Sequence, residues 1–269
     1  MAGLLKLANL ARSTFYYQRK SLQAADKYEQ LKGQIRTIFN SHKGRYGYRR
    51  ITAGLRQAGH HVNHKTVQRL MGTIGLKSLV RPKKYRSYKG EVGYAAPNTL
   101  QRRFHAQNAN QKWVTDVTEF HVAGEKLYLS PVLDLYNGEI IAFETSQRPA
   151  FNLVNSMLKK ALAKLGPNEK PMLHSDQGWQ YRMPAYQRQL KERQLAQSMS
   201  RKGNCLDNAA MESFFAVLKS EYFHLNRFDS IDALRDGLAD YIHYYNHDRI
   251  KLKLKGLSPV QYRTQALAA

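Results

Sequence analysis

Apolar residues recur at helical spacing in the first third of the chain and at strand spacing after Trp113, so the sequence divides into a helical front and a mixed body. Ile51 and Leu55 lie on one side of Ala58-Gly59, and Val67, Leu70, Met71 and Ile74 on the other. Two short helices packed across a turn give this pattern. Asn63 is placed to cap the second helix and Gly75 to stop it. Upstream, Leu4, Leu5, Leu7 and Leu10 lead into Ala11-Arg12-Ser13-Thr14-Phe15, where Ser13 is expected to cap another short helix. That stretch reads as the tail of a helix-turn-helix, too small to bury a core alone.

From Trp113 onward, residues 112–122 alternate as a strand, Lys126–Tyr136 reads as a second and Glu139–Thr145 as a third, with Asn137-Gly138 as the hairpin turn. A helix follows with Phe151, Val154, Leu158, Ala161, Leu162 and Leu165 on one side. Pro171–His174 gives a short strand, and further helices are expected at about 207–222 and 231–247, the latter marked by Ile231, Leu234, Leu238, Tyr241, Ile242 and Tyr245. Antiparallel strands followed by alternating helix and strand predict an α/β fold with a mixed sheet flanked by helices. The expected division is a partial helical segment (1–30), a helix-turn-helix-like DNA-binding region (31–80), a basic linker (81–107) and an α/β body with C-terminal helices (108–269).

Composition sharpens this picture. A chain of 269 residues with 42% hydrophobic and 11% aromatic residues has the makings of a folded protein of one or two domains. Its net charge of +23 points to a polyanionic partner. Residues 1–110 carry 22 Lys and Arg against 3 Asp and Glu, a balance of +19, whereas residues 111–269 carry only +4. Lys65, Gln68 and Arg69, with His64, would face away from the core of the second helix, suited to phosphates and base edges. Lys83, Lys84 and Arg86, in the tyrosine-rich linker, are further candidates for a DNA backbone. The single cysteine, Cys205, excludes an internal disulfide and a multi-cysteine zinc site. Neither a membrane-length apolar run nor a signal-peptide pattern is found, so a soluble cytoplasmic protein is expected.

Three acidic residues stand out. Asp116 falls mid-strand in Trp113-Val114-Thr115-Asp116-Val117-Thr118, where a carboxylate is costly unless paired, hydrogen-bonded or bound to metal. Asp176 follows a short strand in His174-Ser175-Asp176-Gln177-Gly178, where glycine permits a sharp turn. Glu212 lies on a helix beside the apolar stripe Met211, Phe214, Phe215, Leu218 and Tyr222, sharing its own stripe with Asn208 and Lys219. Brought together, the three would make a hard oxygen site for Mg²⁺ or Mn²⁺. Taken singly, Asp176 is as well read as a turn residue and Glu212 as half of an ion pair. A serine-hydrolase reading of His174, Ser175 and Asp176 fails, because consecutive residues of an extended chain alternate faces.

The motifs Thr115-Asp116-Val117-Thr118, His174-Ser175-Asp176-Gln177-Gly178 and Arg201-Lys202-Gly203-Asn204-Cys205-Leu206-Asp207-Asn208-Ala209 with Glu212 resemble those of insertion-sequence transposases with a retroviral-integrase core. Fifty-nine residues separate Asp116 from Asp176, and 35 separate Asp176 from Glu212, the last gap being that of the D,D(35)E class. The similarity is to the OrfB product of insertion-sequence family three, and extends to Gly47-Tyr48-Arg49-Arg50 and to Tyr244-Tyr245-Asn246 through Leu257-Ser258-Pro259.

This resemblance implies a ribonuclease-H-like integrase core and catalysis by Asp116, Asp176 and Glu212 holding two Mg²⁺ (or Mn²⁺) ions. It implies cleavage and joining of DNA strands at element ends without a covalent protein intermediate, by a homo-oligomer on DNA. Lys219 would contact the DNA end, and Asn208 would support the site. An upstream OrfA portion or partner would supply much of the recognition of element ends. His60, His61 and His64 have no cysteine partners, so the zinc-binding amino-terminal domain of retroviral integrases is not expected. Two other readings remain open: a non-catalytic DNA-binding regulator, and a nuclease that cuts without joining.

Overall fold

A computed structural model describes residues 5, 7–23, 26–80, 96–201 and 205–268. Lys83, Lys84 and Arg86, with most of the expected linker, lie outside the described residues.

The front consists of α1 (Arg12–Gln23), α2 (Glu29–Ser41), α3 (Tyr48–Gln57) and α4 (His64–Thr73). Ser13 lies within α1 rather than capping it, because the helix already starts at Arg12. The expected pair is α3 and α4. Ile51 and Leu55 pack against Val67, Leu70 and Met71, and α2 adds Ile35 and Phe39 to close the cluster. The Asn63 side chain accepts the Lys65 amide at 2.8 Å, capping α4. At the other end Gly75 takes a φ of +71°, which lets the Leu76 amide reach back to the Met71 carbonyl at 2.8 Å. One member of this cluster comes from far along the chain: Ile250.

The body holds β1 (Lys112–Thr115), β2 (Thr118–Val122), β3 (Glu125–Asp134), β4 (Ile140–Ser146), β5 (Met172–Ser175) and β6 (Gln197–Met199) in one sheet. Helix α5 (Phe151–Leu162) follows β4, α6 (Pro184–Glu192) follows β5, and α7 (Ala209–Glu221), α8 (Ile231–His247) and α9 (Pro259–Ala268) complete the chain. Strands β1 to β4 pair antiparallel, while β1, β5 and β6 run parallel. Alternation along β1 sends Trp113 to the face covered by α5 and Val114 to the face covered by α7 and α8. Both layers are apolar: Met157 and Leu158 on one side, Phe214, Leu218, Leu234 and Leu238 on the other.

Two sequence expectations need correction. The single strand 112–122 is broken after Thr115, although β1 and β2 follow one register along β3, with Thr115 opposite Val132 and Thr118 opposite Leu129. That register puts Pro131 opposite Asp116, and proline has no amide hydrogen to keep the ladder going. Asp116 is therefore at a strand end, not mid-strand. The β3–β4 connection is also longer than a two-residue hairpin. Asp134 closes it by donating its amide to the Glu139 carbonyl at 2.9 Å, accepting the Gly138 amide at 2.7 Å and taking the Tyr136 amide on its side chain at 3.0 Å.

Front and body are locked together around Glu221, the last residue of α7. Its buried carboxylate takes two bonds from Arg249, at 2.6 and 2.7 Å, one from Arg50 of α3 at 3.1 Å and one from the Tyr241 hydroxyl at 3.2 Å. Its carbonyl accepts from Arg45 at 3.0 Å. Thus Gly47-Tyr48-Arg49-Arg50 and the segment after Tyr244 meet at one seam. Asn246, in that segment, bonds both the amide and the carbonyl of Ile140 at 2.9 Å, acting as a short extra strand at the start of β4.

Candidate active site

Parallel pairing of β1 with β5 runs at a constant offset of sixty residues: Lys112 with Met172, Trp113 with Leu173, Val114 with His174. Asp116 and Asp176 differ by the same sixty. Carried two residues past the last pair, the register sets their carboxylates side by side at the same end of neighbouring strands. Each is held by local backbone: Asp116 accepts the Val117 amide at 2.7 Å, and Asp176 the Gly178 amide at 2.9 Å. A side chain at position 178 would meet the Asp176 carboxylate at 2.9 Å, so glycine is required for this close approach.

Glu212 stands in the first turn of α7. The helix is tied to β1 by Asn208, whose amide group donates to the Thr115 carbonyl at 3.1 Å, immediately before Asp116. Burial first, then the charge of Asp176, and also that of Glu212, push the Asp116 carboxyl up to about 8, against smaller opposing effects of the Val117 amide and Lys219. Asp176 is raised as well, mainly by burial. The three acids therefore share one field. Among the described residues, however, no three His, Cys, Asp or Glu side chains stand close enough together to hold a metal ion directly.

The donor set nonetheless suits a divalent cation. Two partly buried carboxylates that repel each other lose that repulsion when a cation enters between them, and hard oxygen ligands favour Mg²⁺ or Mn²⁺. The side-chain oxygen of Asn208 is buried with no partner among the described residues, a second polar atom left wanting beside the strand that carries Asp116.

The sequence matches the integrase core domain family over residues 106–205 and again over 212–267, and an HTH-like domain over 27–84. It is 58% identical over 262 residues to the InsK chain of insertion sequence element IS150 from Escherichia coli K12, covering 97% of this chain and 93% of that one. With transposase InsF of insertion sequence IS3A, from the same organism, identity is 34% over 274 residues, covering all of this chain and 94% of the relative. This chain belongs to the insertion-sequence transposases of family three. A transposase of Lactococcus lactis element IS904 is also 34% identical, over 91% of this chain and 98% of its own. Among solved structures, the catalytic core domain of HTLV-2 integrase, in complex with magnesium, superposes with a TM-score of 0.48 at 16% identity, covering 58% of this chain and 98% of that one.

The protein is thus a transposase, a polynucleotidyl transferase built on an integrase core with a helix-turn-helix-like region ahead of it. Among the described residues no helix is long and apolar enough to cross a membrane.

Other candidates fall in different places on the transposase. Lys65, Gln68 and Arg69 are exposed on α4, with the Arg69 guanidinium 5.2 Å from the Tyr28 ring. Lys219, half-buried two turns beyond Glu212, rests its ammonium 5.3 Å from the Phe120 ring. Asn208, the other residue named beside Glu212, is only 4% exposed and bound to β1.

The His174 ring is clasped between the hydroxyls of Ser198 (2.9 Å) and Ser200 (3.1 Å), and burial pushes it down to about 4, so it stays neutral. The Ser175 hydroxyl donates to the Asp176 carbonyl instead, which rules out a Ser-His relay. His174 serves to lock β5 onto β6.

Two further residues escaped the sequence reading. Asp207, fully buried, holds Arg201 through both carboxylate oxygens at 3.0 Å, Arg102 at 2.8 Å and Asn98 at 2.8 Å. Arg201 first, with Arg102, holds its carboxyl well below the ordinary range. It pins the stretch leading into α7, and a buried acid followed by a helix start was its only signal. Tyr181 is fully buried near Asp116 and Asp176. Burial, then their charges, hold its hydroxyl protonated. Its place five residues after Asp176 gave no hint of this.

Proposed function

We propose that this transposase cleaves and joins DNA strands at insertion-sequence ends with Asp116, Asp176 and Glu212 as its catalytic carboxylates. The reading rests on one observation: Asp116 and Asp176 occupy matching ends of adjacent parallel strands, with Glu212 close enough to add to the field on Asp116. Two Mg²⁺ or Mn²⁺ ions held by the three would acidify the attacking water or 3′-hydroxyl and offset charge on the phosphate and leaving oxygen.

The chain's own part is positional. The Val117 and Gly178 amides orient the two aspartates, and the Asn208 link to Thr115 holds the start of α7, with Glu212, against β1. Lys219, on the same helix, offers a cation to the phosphate of an approaching DNA end, while Lys65, Gln68 and Arg69 meet duplex DNA at the front. Joining two ends calls for two such sites, hence a homo-oligomer on DNA, and an OrfA-type partner or fusion supplies recognition of the element's ends.

The test is strand transfer of a pre-cleaved element end by the purified chain, alone and with an OrfA partner, in Mg²⁺. Asp116→Asn, Asp176→Asn and Glu212→Gln should each abolish joining while DNA affinity stays near that of the parent. Variants that still join would sink the assignment.

A further inference from the structure

We infer that the C-terminal segment of the catalytic body supplies a phosphate-binding residue, Lys255, to duplex DNA held by the helix-turn-helix front. This rests on the reading of α4 as DNA-facing.

A cleft of about 590 Å³ lies where the two units meet. Arg49 and Arg56 of α3 and His64 of α4 line one side, and Lys255 lines the other. All four are exposed, and no acidic residue lines the cleft. His64 opens α4, so the cleft continues directly into the exposed face of Lys65, Gln68 and Arg69. A duplex seated on that face would lay its backbone across the cleft mouth. A concave lining whose charged side chains, Arg49, Arg56 and Lys255, are all cationic, beside a helix read as DNA-facing, fits a phosphodiester backbone and not an acid-paired protein surface.

Lys255 is fixed in place rather than borne on a free tail. Its backbone takes a left-handed φ of +57°, a conformation with a cost for a residue that has a side chain. The carbonyl of the next residue, Gly256, accepts from the Gln57 side chain of α3 at 2.8 Å. Five residues earlier Ile250 is buried in the cluster of the front, and Lys251 bonds the Gly138 carbonyl at 3.0 Å. A rigid arch therefore runs from the β3–β4 turn to α3 and carries Lys255 at its crest. DNA bound here would be gripped by both units at once, with its direction fixed relative to Asp116 and Asp176.

The experiment measures binding of the full chain to a duplex of about 30 base pairs across a range of salt, where each lost phosphate contact lowers the slope of log affinity against log salt by about 0.9. Lys255→Gln should lower the slope by about one contact and weaken binding several-fold at low salt, with thermal unfolding unchanged. Lys255→Arg should restore both, and Lys253→Gln, exposed nearby but outside the cleft, should leave both as in the parent.

If Lys255→Gln binds like the parent while Lys65→Ala and Arg69→Ala still weaken binding, DNA sits on α4 without reaching the arch, and the inference is wrong. If none of the three matters, the DNA-facing reading of α4 falls with it.

Discussion

The Glu221 carboxylate, 3% exposed, takes both the Nε and a terminal nitrogen of Arg249, at 2.7 and 2.6 Å. Burial alone would raise this acid, but Arg249 and Arg50 outweigh it and hold the group below its ordinary 4.5. Breaking such a pair from one side strands the other charge in the interior. Glu221→Gln should cost on the order of 3–5 kcal/mol in urea unfolding at pH 7. The sign of the pH effect follows. The unfolded chain binds this proton more readily than the folded one, so the pair's contribution is complete above pH 4.5 and fades as pH falls through and below it. Glu221→Gln should show a shallower acid loss of stability than the parent, and an equally steep one would refute this account.

Arg50 is the front's share of the same pair. It is more exposed than Arg249, and Arg50→Met should cost less stability than Glu221→Gln. Its main effect should be on the seam: faster amide exchange in α3, with the sheet amides unchanged. Uniformly faster exchange throughout would mean that front and body unfold as one unit.

Asp207 joins three partners across a loop. Asp207→Asn removes the charge that holds Arg201 and Arg102; both guanidiniums are substantially exposed and stay hydrated, but the buried Asp207 loses charge-assisted bonds, so a loss of stability of roughly 1–3 kcal/mol is expected. Strand joining should suffer far more, because the stretch that presents α7 and Glu212 is no longer anchored. Joining measured beside thermal unfolding separates the two effects. Equal loss in both would show that Asp207 matters only to the fold.

Without metal, the pairing of Asp116 with Asp176 is a source of strain. Asp176→Asn removes one repelling charge and should stabilise the metal-free protein at pH 8 by roughly 1–2 kcal/mol. Mg²⁺ should raise the melting temperature of the parent, and the same substitution should abolish that rise. Calorimetry with and without Mg²⁺ reads both. A variant still stabilised by Mg²⁺ would exclude Asp176 as a ligand.

On α4, the side-chain types predict different behaviour. Lys65→Ala and Arg69→Ala should each lower the salt slope of DNA binding by about 0.9. Gln68→Ala should leave the slope alone and relax sequence preference at one position. Titrations on two duplexes differing in sequence distinguish these effects.

How far the sequence could be read depended on whether the deciding partner was local. Ile51, Leu55, Val67 and Leu70 define α3 and α4 because their period lies within each helix and the caps, Asn63 and Gly75, adjoin it. The break after Thr115 was invisible because its cause, Pro131, sits on the facing strand. Strand β6 has only three residues, beginning Gln197-Ser198, with no alternation to detect. Helix α9 lacks an apolar stripe and is fastened instead by Arg263, which pairs with Asp134 and Glu139. Asp116, Asp176 and Glu212 stand out by their motifs and spacing. That their first gap equals the β1–β5 register could be learned only from the pairing itself. Glu221 carries no local signal, since its partners lie 28 and 171 positions away.

Ile250 completes the cluster that otherwise belongs to residues 35–71. A ribosome makes the chain from its first residue onward, so the helix-turn-helix emerges long before this side chain and waits with an open apolar notch. Arg249, which closes the Glu221 seam, arrives at the same moment. The front is therefore finished only after all three acids, Asp116, Asp176 and Glu212, have been made. A chain cut between residues 221 and 249 would carry all three acids but an unfinished front, its apolar notch left open.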